Sequence, residues 1–256
     1  MTDQERGREQ QLEPSVQVFG SVDELNRAAA DLVAQIALGA VERRSICSIA
    51  LTGGSSPCGL YRLLADNPYR HMMPWDRIHL FWGDERCVPP DHPDSNFRLA
   101  QLTLLSKIPI AETNVHRMRG EEDPGRAARE YHDMLRDYFE PAVGCFPRMD
   151  LILLGLGEDG HVASLFPNGL ELGENARFAI ETQKPGGWQR ISLSLPTINA
   201  AQNVLFLVMG EKKAGMLPRA LGDADRFVPA TLVRPTEGRL FWFADRAAAA
   251  NLEHNS

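Results

Sequence analysis

The feature that most constrains the fold is a pair of short, almost wholly apolar runs, LILL at 151–154 and VLFLVM at 204–209. Each run has the length of a strand and is much shorter than a membrane-spanning helix. A strand that is apolar at consecutive positions is buried on both faces, which is typical of parallel sheets covered by helices. The sequence therefore predicts an α/β fold with a mostly parallel sheet and helices on both faces.

Helical and strand patterns alternate along most of the chain. Ser21 and the segment 22–44 predict a capped helix with acids in its first turn and arginines at its end. The first βα unit follows, with a strand in 46–54 and a helix that begins at Pro57. Further strand patterns are RIHLFWGDE (77–85), ARFAIET (176–182), RISLSL (190–195) and RLFWFA (239–244). Further helical patterns are 96–108, 125–140 and 212–221.

The length and composition are those of one domain. The chain has 256 residues, of which 43% are hydrophobic, and this is enough to bury one large core. No Pro/Gly/Ser-rich linker separates two halves. We expect residues 1–16 to form a flexible N-terminal tail and residues 17–250 to form the single domain.

The charge pattern excludes two classes of partner. The formal net charge of -7 disfavours a general attraction to nucleic acid or to an anionic membrane surface. The polar N-terminus lacks the apolar segment of a secretory signal, and no apolar run approaches the ~20 residues that cross a bilayer. We therefore expect a cytoplasmic protein with no nucleic-acid partner and no membrane role.

The spacing of cysteine and histidine gives no support for a metal site. Cys47, Cys58, Cys87 and Cys145 lie far apart without a C-x-x-C pair, and no two histidines have the H-x-x-x-H spacing. These patterns are typical of structural zinc sites, redox dithiols and zinc-binding helices. We expect no metal and no cofactor.

A glycine-rich turn joins the first predicted strand to its helix, with the sequence TGGSSP at 52–57. Gly53 and Gly54 let an anion approach the backbone N–H groups, and the positive end of the helix dipole lies there as well. Ser56 is placed to cap the helix. An ordinary βα turn is an equally good interpretation of these residues taken alone, and the absence of G-K-[ST] argues against a nucleotide P-loop.

Charged side chains follow the second predicted strand, in Gly83-Asp84-Glu85-Arg86. Ligands of parallel α/β sheets bind at the carboxyl ends of strands, where these groups are expected. The guanidinium of Arg86 is suited to an anion or to a developing oxyanion. A solvated charged loop is the alternative interpretation.

The segment Gly155-Leu156-Gly157-Glu158-Asp159-Gly160-His161 follows the buried strand at 151–154. It matches the dinucleotide pattern G-x-G-x-x-G, but Pro167 ends any following helix, so we interpret the match as accidental. Imidazole is the side chain that gains and loses a proton near neutral pH. His161 is therefore the candidate for proton transfer, with Asp159 to orient it.

Two basic residues stand close to other predicted strand ends. Arg190 begins the strand RISLSL, and Lys213 is predicted in the first turn of a helix after VLFLVMG. A lysine there opposes the helix dipole, which favours a neighbouring anion. Both residues are candidates for binding phosphate, and solvated side chains are the alternative.

Six segments, taken together, resemble one known family. TGGSSP, FWGDERCVPPDHPDSNFRLA, DLILLGLGEDGHVASLFP, RISLSLPTINAA, GEKKAGML and VPATLVRP occur in this order and resemble the 6-phosphogluconolactonase family over residues 17–244. The resemblance implies a Rossmann-like sheet and relatedness to glucosamine-6-phosphate deaminase and ribose-5-phosphate isomerase. It also implies hydrolysis of 6-phosphoglucono-δ-lactone to 6-phosphogluconate in the oxidative pentose phosphate pathway, without a cofactor. Ser56 and Asn168 depart from the residues common in the family.

The resemblance also assigns roles to matching positions. It implies that His161 transfers the proton beside Asp159, and that Asp84 and Arg86 shape the sugar site. The phosphate end would be held by Gly53, Gly54, Ser55, Arg190 and Lys213. A related sugar-phosphate isomerase or deaminase and a non-catalytic sugar-phosphate sensor are the alternatives, and we expect a monomer or a weak homodimer.

Overall fold

The computed structural model describes residues 15–184 and 186–252. Residues 1–14 of the predicted tail lie outside the described residues, and Ser15 and Val16 belong to the first strand. The strands are β1 Ser15–Phe19, β2 Cys47–Leu51, β3 Ile78–Trp82, β4 Asp84–Arg86, β5 Leu151–Gly155, β6 Ala179–Gln183, β7 Gln189–Leu193, β8 Asn203–Val208 and β9 Arg239–Asp245. The helices are α1 Val22–Arg44, α2 Pro57–Leu64, α3 Tyr69–Met72, α4 Asn96–Thr103, α5 Pro124–Phe139, α6 Leu195–Asn199 and α7 Leu217–Ala220.

The main sheet has six strands in the order β1-β9-β8-β5-β2-β3, and every neighbouring pair is parallel. Every residue of β2 and β8 is buried, as expected for central strands covered on both faces. The predicted α/β fold with a mostly parallel sheet is therefore confirmed. Within the described part of the chain, no helix is both long and apolar enough to span a membrane.

The strand order places a crevice between β2 and β5. From β2 the chain moves to β3 on one side, whereas from β5 it moves through β8 to β9 on the other side. The turns after β2 and β5 therefore diverge and leave a gap at the carboxyl edge of the sheet. Parallel α/β sheets bind their ligands at such a switch point.

A second, antiparallel sheet of three strands, in the order β4-β7-β6, was not predicted. The pattern over 77–85 predicts one strand, and this prediction is wrong because the strand is interrupted at Gly83. Residues 78–82 pair with β2 in the main sheet, whereas β4 pairs with β7 in the small sheet. Gly83 still donates its N–H to Leu51 O at 2.8 Å and accepts from Leu193 N at 2.8 Å, so it joins the two sheets.

The helix boundaries confirm some capping predictions and correct others. Ser21 accepts a hydrogen bond from the backbone N–H of Glu24 and caps α1. Ser56 precedes Pro57 at the start of α2, but its side chain makes no capping hydrogen bond. The helix predicted over 212–221 is also wrong: residues 211–213 form a 3-10 turn, and α7 begins only at Leu217.

A buried carboxylate ties the centre of the main sheet to α1. Asp150, just before β5, is 3% exposed and accepts hydrogen bonds from the backbone N–H and the hydroxyl of Ser48 at 2.9 and 3.0 Å. It also forms an ion pair with Arg44 at the end of α1. The backbone oxygen of Asp150 accepts from Asn203 Nδ2 at 2.8 Å. One residue therefore aligns β2, β5 and β8 at their amino ends.

We predict that Asp150→Ala lowers the free energy of unfolding by about 3 kcal/mol, because it leaves buried donors without their charged acceptor. Urea titration followed by circular dichroism measures the change. Asp76→Ala is the matched control, since the side chain of Asp76 is exposed and, among the described residues, pairs only with Arg77 at 3.2 Å. The control should change the free energy by less than about 0.5 kcal/mol. Equal effects of the two substitutions would contradict the role of Asp150.

Candidate active site

A cleft of about 510 Å³ opens at the switch point between β2 and β5. This volume is typical of sites for small ligands. Its walls are the turns after β2, β5 and β8 together with the small sheet. The structure places every predicted site residue on the wall of this cleft: Gly53, Gly54, Ser55, Asp84, Arg86, Asp159, His161, Arg190 and Lys213.

The turn after β2 is packed against α4. A Cβ atom at Gly53 would lie 1.8 Å from Asn96 Oδ1, so only glycine fits there. Gly54 has a φ of +82°, in the left-handed region that glycine adopts without strain. Asn96 is 2% exposed, and it lines the cleft without having been predicted as a site residue. Asn96 reaches the cleft through contacts with Gly53 and Asp84, which are far from it in sequence, so no local pattern indicates it.

The turn after β5 presents the predicted histidine. His161 Nδ1 lies 2.5 Å from Asp159 Oδ1, and the same carboxylate oxygen accepts from the backbone N–H of His161 at 3.1 Å. Gly157 donates its N–H to the backbone oxygen of His161 at 2.9 Å, and a Cβ atom at Gly157 would lie 2.1 Å from the imidazole. The glycines of this turn therefore make room for the imidazole, which agrees with our rejection of a dinucleotide site.

The hydrogen bond from His161 holds the pKa of Asp159 at about 2, well below its ordinary value. Asp159 is therefore ionised throughout the range in which imidazole changes its charge. A carboxylate accepts hydrogen bonds and does not donate them, so it selects the form of neutral His161 with the proton on Nδ1. The lone pair of Nε2 is then available on a side chain that lines the cleft.

Asp84 is the most connected acidic residue of the cleft. It is 5% exposed, and its Oδ2 accepts from the hydroxyl of Ser164 at 2.6 Å. Its Oδ1 accepts from Asn96 Nδ2 at 3.1 Å, and Arg190 NH1 lies 3.7 Å from Oδ2. The carboxylate therefore links the turn after β5, helix α4 and strand β7. Ser164 follows Ala163, which lines the cleft at a φ of +48°.

Glu85, next to Asp84, has a different environment. It is 2% exposed, and its carboxylate accepts from the backbone N–H groups of Arg86, Asn96 and Phe97 at 2.8, 2.7 and 2.8 Å. It also accepts from the hydroxyl of Ser95 at 3.1 Å, so it caps the start of α4. Burial raises the pKa of Glu85, while these backbone donors favour its charged form. Glu85 therefore holds α4 in place and does not line the cleft.

Two arginines of the cleft stand side by side. Arg86 in β4 is directly opposite Arg190 in β7, so the two guanidinium groups share one face of the antiparallel pair. Like charges at such positions repel each other. Asp84 offsets part of the charge of Arg190, whereas Arg86 donates to the backbone oxygen of Asp94. Arg86, predicted for the sugar, and Arg190, predicted for the phosphate, are thus neighbours.

Comparison with known proteins establishes the family. The profile of the glucosamine-6-phosphate isomerase and 6-phosphogluconolactonase family matches residues 20–242. The chain belongs to this family. The 6-phosphogluconolactonase of Synechocystis sp. is 43% identical over 216 residues, which are 83% of this chain and 88% of that protein. The corresponding protein of Nostoc sp. is 36% identical over 244 residues, 94% of this chain and 99% of that protein.

Solved structures support the same assignment. The 6-phosphogluconolactonase from Trypanosoma cruzi has a TM-score of 0.82 and 29% sequence identity, covering 93% of this chain and 97% of that one. The resemblance found in the sequence, and the fold that it implied, are therefore confirmed. The family includes isomerases as well as lactonases.

The other described histidines of this family member lie away from the cleft. His79 and His116 contact each other, with 3.0 Å between Nδ1 and Nε2, and burial lowers the pKa of His116 to about 4. His132 accepts from the backbone N–H of Phe178 at 3.0 Å. Among residues 15–184 and 186–252, His161 is the histidine that lines the cleft.

Ser164 was not predicted as a site residue, and its contacts with Asp84 generate a test. We predict that Ser164→Ala lowers the free energy of unfolding by about 1 to 3 kcal/mol, because it removes a buried donor from a carboxylate. Chemical denaturation measures this change. Ser106→Ala, at an exposed position, is the control and should stay within about 0.5 kcal/mol of the unsubstituted protein. A neutral Ser164→Ala would show that the hydroxyl does not support Asp84.

Proposed function

We propose that the protein hydrolyses 6-phosphoglucono-δ-lactone to 6-phosphogluconate, and that residues 17–250 form the lactonase domain. The observation that carries this proposal is the contact between His161 and Asp159 inside a cleft lined by Arg86, Arg190 and Lys213. The imidazole supplies a base, and the cations suit a substrate with a phosphate group. The names of the relatives support the same reaction.

In the proposed reaction, Nε2 of His161 accepts a proton from a water molecule as that water attacks the lactone carbonyl. Ionised Asp159 stabilises the imidazolium that forms and holds the imidazole ring of His161 in its orientation. The protonated His161 then donates to the ring oxygen as the carbon–oxygen bond breaks. One residue serves both steps, because the base of the first step is the acid of the second.

The remaining cleft residues act through charge. Arg86, or the backbone N–H groups of the glycine turn, stabilise the oxyanion that develops on the carbonyl oxygen. Gly53, Gly54, Ser55, Arg190 and Lys213 bind the phosphate end. The lactone is already a reactive ester, so we propose that the reaction needs neither a covalent nucleophile nor a metal or other cofactor.

We predict that His161→Ala lowers kcat by roughly 10²- to 10⁴-fold, the range expected when a general base is removed. Binding of 6-phosphogluconate should remain, because the cations are untouched. Lactone opening is followed against its spontaneous background, and affinity is measured by calorimetry.

His71→Ala is the matched control, since His71 is an exposed histidine outside the cleft. It should keep the activity of the unsubstituted enzyme. If His161→Ala instead lost ligand binding and thermal stability while kcat stayed near its original value, His161 would be a structural residue. Asp84 would then be the next candidate for the base.

The phosphate site gives a second prediction for this reaction. Lys213 makes no side-chain hydrogen bond or ion pair within the described ranges, whereas Arg190 contacts Asp84. Lys213→Ala is therefore the cleaner substitution, because removing Arg190 also leaves Asp84 unpaired. We expect Lys213→Ala to raise KM for the phosphorylated lactone about 10-fold with little change in kcat.

Unphosphorylated glucono-δ-lactone is the control substrate for Lys213→Ala. With this substrate, kcat/KM should be nearly the same for the unsubstituted enzyme and for Lys213→Ala, because the substrate has no phosphate for Lys213 to bind. Equal losses with the two lactones would remove Lys213 from the phosphate site.

Isomerisation or deamination of an amino-sugar phosphate is the competing reaction, because the matched family includes both chemistries. Incubation with glucosamine 6-phosphate and with the lactone, followed by product analysis, separates them. Ammonia release without lactone turnover would overturn the proposal. Binding of both compounds without turnover of either would favour the sugar-phosphate sensor. The absence of a nucleic-acid partner, the cytoplasmic location and the monomeric or weakly dimeric state stay predictions.

A further inference from the structure

The inner face of the small sheet carries a row of polar side chains that the proposed reaction uses only in part. Arg86 in β4 is opposite Arg190 in β7, and Arg190 is opposite Thr182 in β6. Residues directly opposite each other on antiparallel strands share one face, so all three side chains lie on the same side of the sheet. Arg86 and Arg190 line the cleft, which fixes the side that this row faces.

Buried polar atoms along this row have no hydrogen-bond partner within the described residues. They are Nε of Arg86, Nε of Arg190 and Oγ1 of Thr182. Arg190 is 9% exposed and Thr182 is 7% exposed, so unpaired atoms here are costly. The row therefore combines two neighbouring positive charges with unused hydrogen-bonding capacity. Both properties favour an anionic ligand with several acceptor oxygens.

Lys184 extends this row. It follows directly after β6, which ends at Gln183, and its side chain lines the same cleft as Arg86 and Arg190. Lys184 lines the cleft and, among the described residues, makes no side-chain hydrogen bond or ion pair. Its stem lies over Gly187, where an added Cβ atom would be 3.3 Å from two of the stem carbons.

The hairpin that carries Lys184 is fastened to the loop that follows β4. Trp188 Nε1 donates to Asp94 Oδ2 at 3.1 Å, and the indole packs edge-on against the ring of His92. Arg86 donates to the backbone oxygen of the same Asp94. The position of the hairpin relative to Arg86 is therefore set by contacts on a shared residue.

We propose that Lys184 is a further cationic ligand of the substrate's phosphate group, acting beside Arg190 on the inner face of the small sheet. This inference rests on the proposed function, because that function supplies the phosphate. A phosphate dianion offers acceptor oxygens to several donors at once, and a lysine contributes a mobile point charge next to the fixed guanidinium. The ligand class is a phosphate monoester, and Lys184 helps the enzyme to select phosphorylated lactones.

The test compares Lys184→Met, which removes the charge and keeps most of the stem, with Lys184→Arg, which keeps a positive charge. Calorimetry measures the Kd of 6-phosphogluconate and of inorganic phosphate, and steady-state kinetics uses phosphorylated and unphosphorylated lactone. Lys184→Met should raise the Kd of 6-phosphogluconate and the KM of the phosphorylated lactone by about 10-fold each. The change in kcat should stay within about two-fold. Lys184→Arg should recover most of the affinity.

Lys212→Met is the matched control. Lys212 lies close to the cleft without lining it, and its ammonium is 3.9 Å from Glu158. The Lys212→Met substitution also removes one positive charge near the cleft, so it measures how much a change of net charge alone weakens anion binding. Salt at physiological strength screens such an effect over about 8 Å. The Kd and KM values of Lys212→Met should stay within about two-fold of those of the unsubstituted enzyme.

Several outcomes would overturn the inference. Unchanged phosphate binding in Lys184→Met is one, and an equal loss of kcat/KM with the unphosphorylated lactone is another. Weaker phosphate binding in Lys184→Met would support the anion site even if the unsubstituted protein did not open the lactone, and that result would overturn only the proposed reaction. Circular dichroism of Lys184→Met, Lys184→Arg and Lys212→Met establishes that all three variants fold.

Discussion

The buried carboxylate of Asp84 connects the parts of the molecule that form the cleft. It lies where the chain passes from the main sheet to the small sheet, just after Gly83. Its oxygens meet a hydroxyl from the turn after β5, an amide from α4 and a guanidinium from β7. A buried charge is costly unless it has such partners, so satisfying Asp84 requires these elements to come together. The position of the turn after β5 relative to the cations of the cleft follows from that requirement.

The proposed proton-transfer pair and the cations of the cleft are built in different ways. Asp159 and His161 are two residues apart, and their contact is set inside one glycine-rich turn. The cations come from separate strands and loops, so their arrangement depends on how the two sheets pack. Substitutions in the core between the sheets are therefore expected to disturb ligand binding more than proton transfer.

Part of this organisation is readable from the sequence, because some signals are local. Continuous apolar strands indicate a covered parallel sheet, and the glycine-framed His161 indicates an exposed base at a strand end. The main sheet confirms the first, and the catalytic role of His161 stays a prediction. The break at Gly83 gave no local signal, since 77–85 has an unbroken strand pattern. The small sheet depends on pairing between β4, β7 and β6, whose members are distant in sequence.

The same limit explains the residues that were missed. Asn96 begins a predicted helix and has no catalytic pattern around it, yet its side chain lies against Gly53 and donates to Asp84. Lys184 lies in a polar hairpin of the kind that usually faces solvent. Lys213 was placed at a helix start that does not exist, although the loop that carries it still reaches the cleft. Long-range packing, and not local propensity, decides each of these positions.

The opposed guanidinium groups of Arg86 and Arg190 have a consequence for the folded state as a whole. A negative ion bound beside both groups, as proposed for the substrate's phosphate, would relieve their repulsion and would stabilise the native state more than the unfolded chain. By mass action, a ligand at 100 times its Kd stabilises a protein by about 2.7 kcal/mol. Under the proposed phosphate site, the resistance of the protein to heat and proteolysis would therefore rise with the concentration of its phosphorylated ligand. The native state would be least stable when that ligand is scarce.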